Sequence, residues 1–252
     1  MRQNKYFIDK MNPLLKIFIL LIITIISSID FYPFLSSVLV ISGLIIGSIF
    51  SSLSFREIMT SIKAFIIMSI GFMGIILITR YISKQNLELL RILGLGFRII
   101  LISVYTTIFV KTTDPTELVM VFIKYFKMPA KYGYPLLTAY RFLPTFKDEM
   151  EIIKHAHQVR GIKESKNPVI AVWNSKRYII PMLATAVRKG VRISIAMETR
   201  AFGKYNDRTY YRQLDLNKQE VTTSLVYSLY IFMLIVLLHS NNLTNFTLFF
   251  KD

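Results

Sequence analysis

The chain has 252 residues, 53% of them hydrophobic, with a mean hydropathy of +0.47 and a formal net charge of +16. The apolar residues gather into long runs, which places the chain among membrane proteins rather than soluble domains. It contains no cysteine, so a disulfide framework, a thiol nucleophile and a cysteine metal site are all excluded.

Taken in order, the first apolar run covers residues 14–29, flanked by Lys10 and Lys16. It lacks a small-residue cleavage pattern and reads as a retained span. Asp30-Phe31-Tyr32-Pro33 forms a turn, and a second run covers 34–50. A polar return with Ser51, Ser52, Ser54, Arg56 and Glu57 leads to a third run over 62–81, and a polar stretch over 83–91 leads to a fourth over 92–110. A fifth covers 221–238. Each approaches the length needed to cross about 30 Å of hydrocarbon at roughly 1.5 Å per residue. The sequence therefore divides into an N-terminal membrane region (1–110), a basic segment (111–220) and a C-terminal span with a short tail (221–252).

Four of the 31 Lys and Arg residues lie in residues 1–16, twenty in 111–220, and seven elsewhere. Basic charge beside membrane spans reads as cytoplasmic rather than as a nucleic-acid footprint. With the N-terminus inside, five spans put 111–220 inside and the C-terminus outside. Arg80, Lys84 and Arg91 then lie outside, against the rule, but the reverse topology exports twenty basic residues. Arg98 falls within the fourth run, one or two turns from its end, and reads as snorkelling to the interface.

The basic segment has helical periodicity. Asp114-Pro115-Thr116-Glu117 is a capping-box start. Leu118, Val119, Phe122, Ile123 and Phe126 follow on one face, and Pro129 closes the helix. Leu136, Leu137, Tyr140 and Leu143 mark another, expected to be interrupted by Pro144. Phe146, Met150, Ile153, His157 and Arg160 continue at helical spacing, and Gly161 is a natural C-cap. Pro168 restarts the chain, and Pro181 begins or kinks a long helix carrying Leu183, Val187, Val191, Ile195 and Met197. Arg200 sits in its last turn and Gly203 follows. Two amphipathic helices thus close alike, at Ala156–Gly161 and Ala196–Gly203, with an arginine beside small residues.

Recognisable catalytic chemistry is missing. No Gly-x-x-x-x-Gly-Lys-Ser/Thr stretch occurs, so ATP must be handled elsewhere. His155 and His157 point to different sides of a helix, and His239 is far off in sequence, so no metal site is expected. Asp148, Glu149 and Glu151 read as solvated ion-pair partners. An intramembrane enzyme would need carboxylates, nucleophiles or His ligands within the spans, which hold almost none. An ordinary ABC-importer permease, the alternative reading, would typically present one coupling helix per chain.

Several elements in order resemble the transmembrane coupling (T) component of energy-coupling factor (ECF) transporters, the EcfT/CbiQ family. Asn12-Pro13 with Lys16 resembles its N-terminal Asp-Pro-Arg-x-Lys element, and Thr112-Thr113-Asp114-Pro115 with Glu117-Leu118 its Thr-Thr-x-Pro-x-x-Leu element. Tyr140-Arg141-Phe142-Leu143-Pro144 with Glu149 resembles the approach to the first Ala-Arg-Gly signature, here Ala156 and Val159-Arg160-Gly161. Pro181-Met182-Leu183, Arg188 and Ala196–Gly203 resemble the second. Asn12, Leu15, Val159 and Ala201 depart from the commoner residues, and a longer polar N-terminal motif of shared members is missing, which tilts the reading towards a dedicated member.

The resemblance implies an all-α membrane protein that is not itself an enzyme, in the plasma membrane of a prokaryote. It implies as partners two ABC-type ATPases and a substrate-binding S component, working in uptake of a vitamin or transition-metal ion. This chain would bind no cofactor; ATP and Mg would belong to the ATPases. Ala156, Val159, Arg160, Gly161, Thr199, Arg200, Ala201 and Gly203 would dock on the ATPases. Phe122, Phe126, Leu136 and Leu137 would offer the surface for the substrate subunit.

Overall fold

A computed structural model describes residues 6–84, 86, 88–162, 175–204 and 216–241. Among them every regular element is helical. In chain order these are α1 (Phe7–Lys10), α2 (Pro13–Ile29), α3 (Pro33–Phe50), α4 (Phe55–Ile82), α5 (Leu89–Thr112), α6 (Pro115–Tyr125), α7 (Ala130–Val159), α8 (Lys176–Thr199) and α9 (Lys218–Ser240). Pro168 lies outside the described residues. The chain forms two compact units, Met1–Leu118 with Leu214–Asp252, and Val119–Gln213, with the boundary inside α6.

The first unit is the membrane unit, and the protein is a multi-pass membrane protein. By length and composition α3, α4, α5 and α9 can each cross a bilayer, and α2 is a shorter apolar helix of 17 residues. Asn12 starts α2: its side-chain oxygen accepts from Leu14 N at 3.0 Å, and Pro13 takes the first helical position, where no donor is needed. The expected polar return after α3 is shorter than the sequence suggested. Arg56 and Glu57 already belong to α4, which begins at Phe55.

Helix α5 is the hub and packs on α2, α3 and α4. Small residues permit this approach. A methyl group at Gly43 or Gly47 of α3 would sit 2.8 Å from the Tyr105 ring or 2.7 Å from Ile108, both on α5. One at Gly94 would sit 2.1 Å from the Phe31 carbonyl oxygen, so this glycine lets α5 pass the α2–α3 turn. Ile23, Leu35, Leu39, Ile58, Ile62, Leu101 and Ile231 form the buried centre. Tyr105 supplies its polar tie: its hydroxyl donates to Leu39 O at 3.1 Å and lies 2.5 Å from the Tyr227 hydroxyl on α9.

Arg98 donates to the carbonyls of Ser28 (3.1 Å) and Asp30 (2.9 Å) and stacks over Phe31 at 5.4 Å. It satisfies the C-terminal end of α2, a local structural task at the span's edge. The basic connection after α4 is also partly answered in place. Arg80 donates to Asn86 O at 3.1 Å, and Arg91 pairs with Glu88 at 2.8 Å.

In the second unit α7 runs unbroken through Pro135 and Pro144, so the expected interruption at Pro144 does not occur. Each proline removes one backbone donor. The carbonyls left without it belong to Lys131 and Tyr140, both exposed residues that water can serve. Pro181 likewise lies within α8 rather than starting it. Three contacts set α7 and α8 antiparallel: Tyr134 against Phe202 (5.8 Å between ring centroids), Glu149 with Lys189, and His157 against Tyr178 (5.3 Å).

Candidate coupling sites

The two arginine signatures end in the same backbone device. Arg160 is the cap residue of α7, and Gly161 after it has φ +81°. Gly161 N–H donates to Gln158 O at 2.9 Å and Ile162 N–H to His157 O at 3.1 Å, the two bonds of a Schellman motif. Arg200 is the cap residue of α8. Ala201 N–H donates to Glu198 O at 2.9 Å and Phe202 N–H to Met197 O at 3.0 Å. The counterpart of Gly161 is therefore Ala201, with φ +54°, and not Gly203, which lies two residues further on with φ +88°. An alanine by itself gives no signal for a left-handed residue; in the sequence this register rests on the resemblance, in which Ala201 departs from the commoner glycine.

All eight residues of the two signatures, Ala156, Val159, Arg160, Gly161, Thr199, Arg200, Ala201 and Gly203, are exposed. Val159 is 89% exposed, unusual for a β-branched apolar side chain at a helix end. The antiparallel pairing puts the two arginine ends at opposite ends of the α7–α8 pair, about 40 Å apart at roughly 1.5 Å per residue. Each arginine adds positive charge beside a helix C-terminus, where the dipole favours it.

The seam between α7 and α8 is loosely filled. Pro135, Ala139, Phe142, Ala186, Gly190 and Ser194 are among the residues lining a cavity of about 280 Å³. Glu149 and Lys189 cross it as an ion pair. Of the three acidic residues considered in the sequence, Glu149 takes this partner, and Asp148 and Glu151 face solvent. His157 packs on Tyr178, and His155 Nδ1 lies 3.2 Å from Gln158 Oε1.

The four residues proposed for the substrate subunit separate. Leu137 is buried with Val119 and Ile123, so it packs inside its own unit and cannot offer a free surface. Phe122 is half-buried and packs against Phe126 in a tilted arrangement, with 5.2 Å between ring centroids. Phe126 and Leu136 are the exposed pair. Gly133 makes the burial of Leu137's neighbourhood possible, since a methyl group there would lie 2.5 Å from Ile123.

Two sequence elements that stood far apart meet in the membrane unit. Lys16 donates to Thr112 O at 2.8 Å and to Thr112 Oγ1 at 3.2 Å. Asn12 N–H donates to Glu220 Oε2 at 2.9 Å. Glu220 had no distinguishing pattern in the sequence; only the return of α9 to the start of α2 reveals it. A cavity of about 250 Å³ adjoins this junction, walled mainly by apolar side chains such as Ile19, Ile46, Ile108 and Phe109. Among the described residues no three His, Asp or Glu side chains converge as metal ligands.

A family model described as cobalt transport protein, CbiQ, matches residues 6–211. The chain is 28% identical over 139 residues to the energy-coupling factor transporter transmembrane protein EcfT of Clostridium kluyveri, covering 52% of each chain. It is 32% identical over 125 residues to that of Limosilactobacillus fermentum, covering 46% of this chain and 47% of the relative. It is 27% identical over 168 residues to that of Lactococcus lactis subsp. cremoris, covering 64% and 62%. The chain thus spans about half to under two thirds of the length of these relatives. The membrane-spanning helices, the paired arginine-capped ends and the match over most of the chain agree: it belongs to the CbiQ/EcfT family, the transmembrane components of energy-coupling factor transporters.

Proposed function

We propose that this chain is the coupling subunit of an ECF-type importer, carrying ATP-driven motion from two ABC-type ATPases to a substrate-binding S component. The observation that carries the reading is the pair of identically built arginine ends at opposite ends of α7 and α8. Two equivalent tips about 40 Å apart along the helix pair suit two related partners better than one. Each guanidinium offers five donors in a rigid fork, suited to carboxylates and carbonyls in a groove. The neighbouring Ala156, Gly161, Ala201 and Gly203 let the helix end approach closely. A charged hydrogen bond removed from water contributes about 1.5–3 kcal/mol, so each arginine supplies one anchor to its own partner and the surrounding contact surface supplies the rest.

The half-open groove along the α7–α8 seam leaves room for relative motion of the two helices. ATP and Mg act in the ATPases; this chain's residues only receive and pass on the movement. The exposed pair Phe126 and Leu136 offers the face for the S component. The subunit sits in the plasma membrane with its N-terminus and residues 111–220 in the cytoplasm. The cargo is a vitamin or a transition-metal ion, selected by the S component.

The test is a mild-detergent pull-down of the chain co-expressed with its neighbouring genes, as native protein and as Arg160→Glu with Arg200→Glu. Two ATPases and a small apolar protein should co-purify with the native chain, and the ATPases alone should be lost from the variant. Retention of the ATPases by the variant would overturn the docking assignment. Their absence from the native chain would overturn the coupling reading itself.

A further inference from the structure

The chain leaves the membrane unit through α6 and rejoins it ahead of α9. Both crossings are tied to one place, the start of α2. Lys16 reaches across 96 residues of sequence to Thr112, and Asn12 across 208 to Glu220. Asn12 and Lys16 lie one helical turn apart, 3% and 7% exposed. The carboxylates of Asp9, Glu117 and Glu220 lie within electrostatic reach of the lysine.

The chemistry of helix ends explains the choice of groups. Thr112 is the last residue of α5, and its carbonyl has no acceptor role within the helix; a cation is the favoured partner there. Glu220 lies in the first turn of α9 and accepts from the residue that caps α2, so one carboxylate serves the positive ends of two helices. A buried ammonium is costly unless held by such bonds, so releasing either partner leaves an uncompensated group.

We propose that Asn12, Lys16, Thr112 and Glu220 form a clasp that binds the departing and returning connections of the coupling unit to a single helix start. Lys16 and Glu220 are then positioning residues for coupling, an inference that rests on the coupling reading. Motion imposed on the tips of α7 and α8 passes to the spans through these two covalent connections. If they could separate, the motion would be absorbed between them; clasped, they move as one base.

The cysteine-free sequence makes the test clean. Lys111→Cys and Lys218→Cys place spin labels at exposed positions beside the two connections. Their distance distribution is recorded by pulsed electron paramagnetic resonance in the full complex, with and without ATP, alongside ATPase retention. The labelled parent should give one narrow peak that survives ATP, and Glu220→Gln, which keeps an acceptor oxygen, should preserve it. Lys16→Met and Glu220→Ala should lose the single peak while the ATPases stay bound. An unchanged peak in both overturns the clasp. So does loss of the ATPases together with the peak, which would mark a merely structural role. Should Lys16→Met fail to fold, Glu220→Ala at the partly exposed edge decides. The coupling reading fails separately, if the parent retains no ATPase; the peak width in the chain alone then still judges the clasp.

Discussion

Ala201 holds a left-handed backbone conformation that its counterpart Gly161 adopts without a side-chain penalty. The penalty for a Cβ there is about 1 kcal/mol. Ala201→Gly should therefore stabilise the end of α8 by about that amount, read as slower hydrogen exchange at residues 201–202. Gly161→Ala should produce the opposite change at the end of α7. Unequal responses to the same exchange would show that the two ends are not the equivalent devices their hydrogen bonds describe. Gly94 has a different task. Gly94→Ala would press a methyl group into the Phe31 carbonyl at 2.1 Å, a backbone atom that cannot rotate away. A loss of about 1–3 kcal/mol is expected from such overpacking, measured as a lower midpoint of thermal unfolding in detergent.

Between elements, the Glu149–Lys189 ion pair and two ring contacts join α7 to α8, and a half-open groove runs along the seam between them. The Glu149 and Lys189 side chains are 21% and 34% exposed, so their attraction is partly screened. A double-mutant cycle with Glu149→Gln and Lys189→Met should give a coupling of about 0.2–1 kcal/mol that falls as salt rises. Filling the seam is the stronger intervention. Gly190→Leu should lock α7 against α8, leaving ATPase retention intact in the pull-down while abolishing any ATP-dependent change in the distance between spin labels on the two helices. Undiminished movement in that variant would mean that the seam is not the sliding surface.

Across the whole molecule, charge and span order decide orientation. Lys84 follows α4 and Val159 ends α7; both are exposed. In right-side-out membrane vesicles, Lys84→Cys should react with an impermeant maleimide from outside, and Val159→Cys only after permeabilisation. Reaction of Val159→Cys in intact vesicles would invert the topology. The concentration of twenty basic residues in 111–220 is the signal in the sequence that favours this orientation, because the reverse would carry all of that charge across the bilayer.

The amino-acid sequence by itself determined the class, the spans and the family motifs. Long apolar runs, capping residues at Asn12 and Asp114, and the recurring arginine before a small residue are local signals, and local hydrogen bonds answer them. It misjudged Pro144, because a proline's effect on a helix depends on whether water can serve the freed carbonyl. It could not separate Leu137 from Leu136, since both belong to an apolar stripe and only packing against Val119 and Ile123 buries one of them. Nor could it pair Lys16 with Thr112 or Asn12 with Glu220. Those contacts join residues brought together by the return of α5 and α9 to the start of α2, and sequence spacing carries no record of that return.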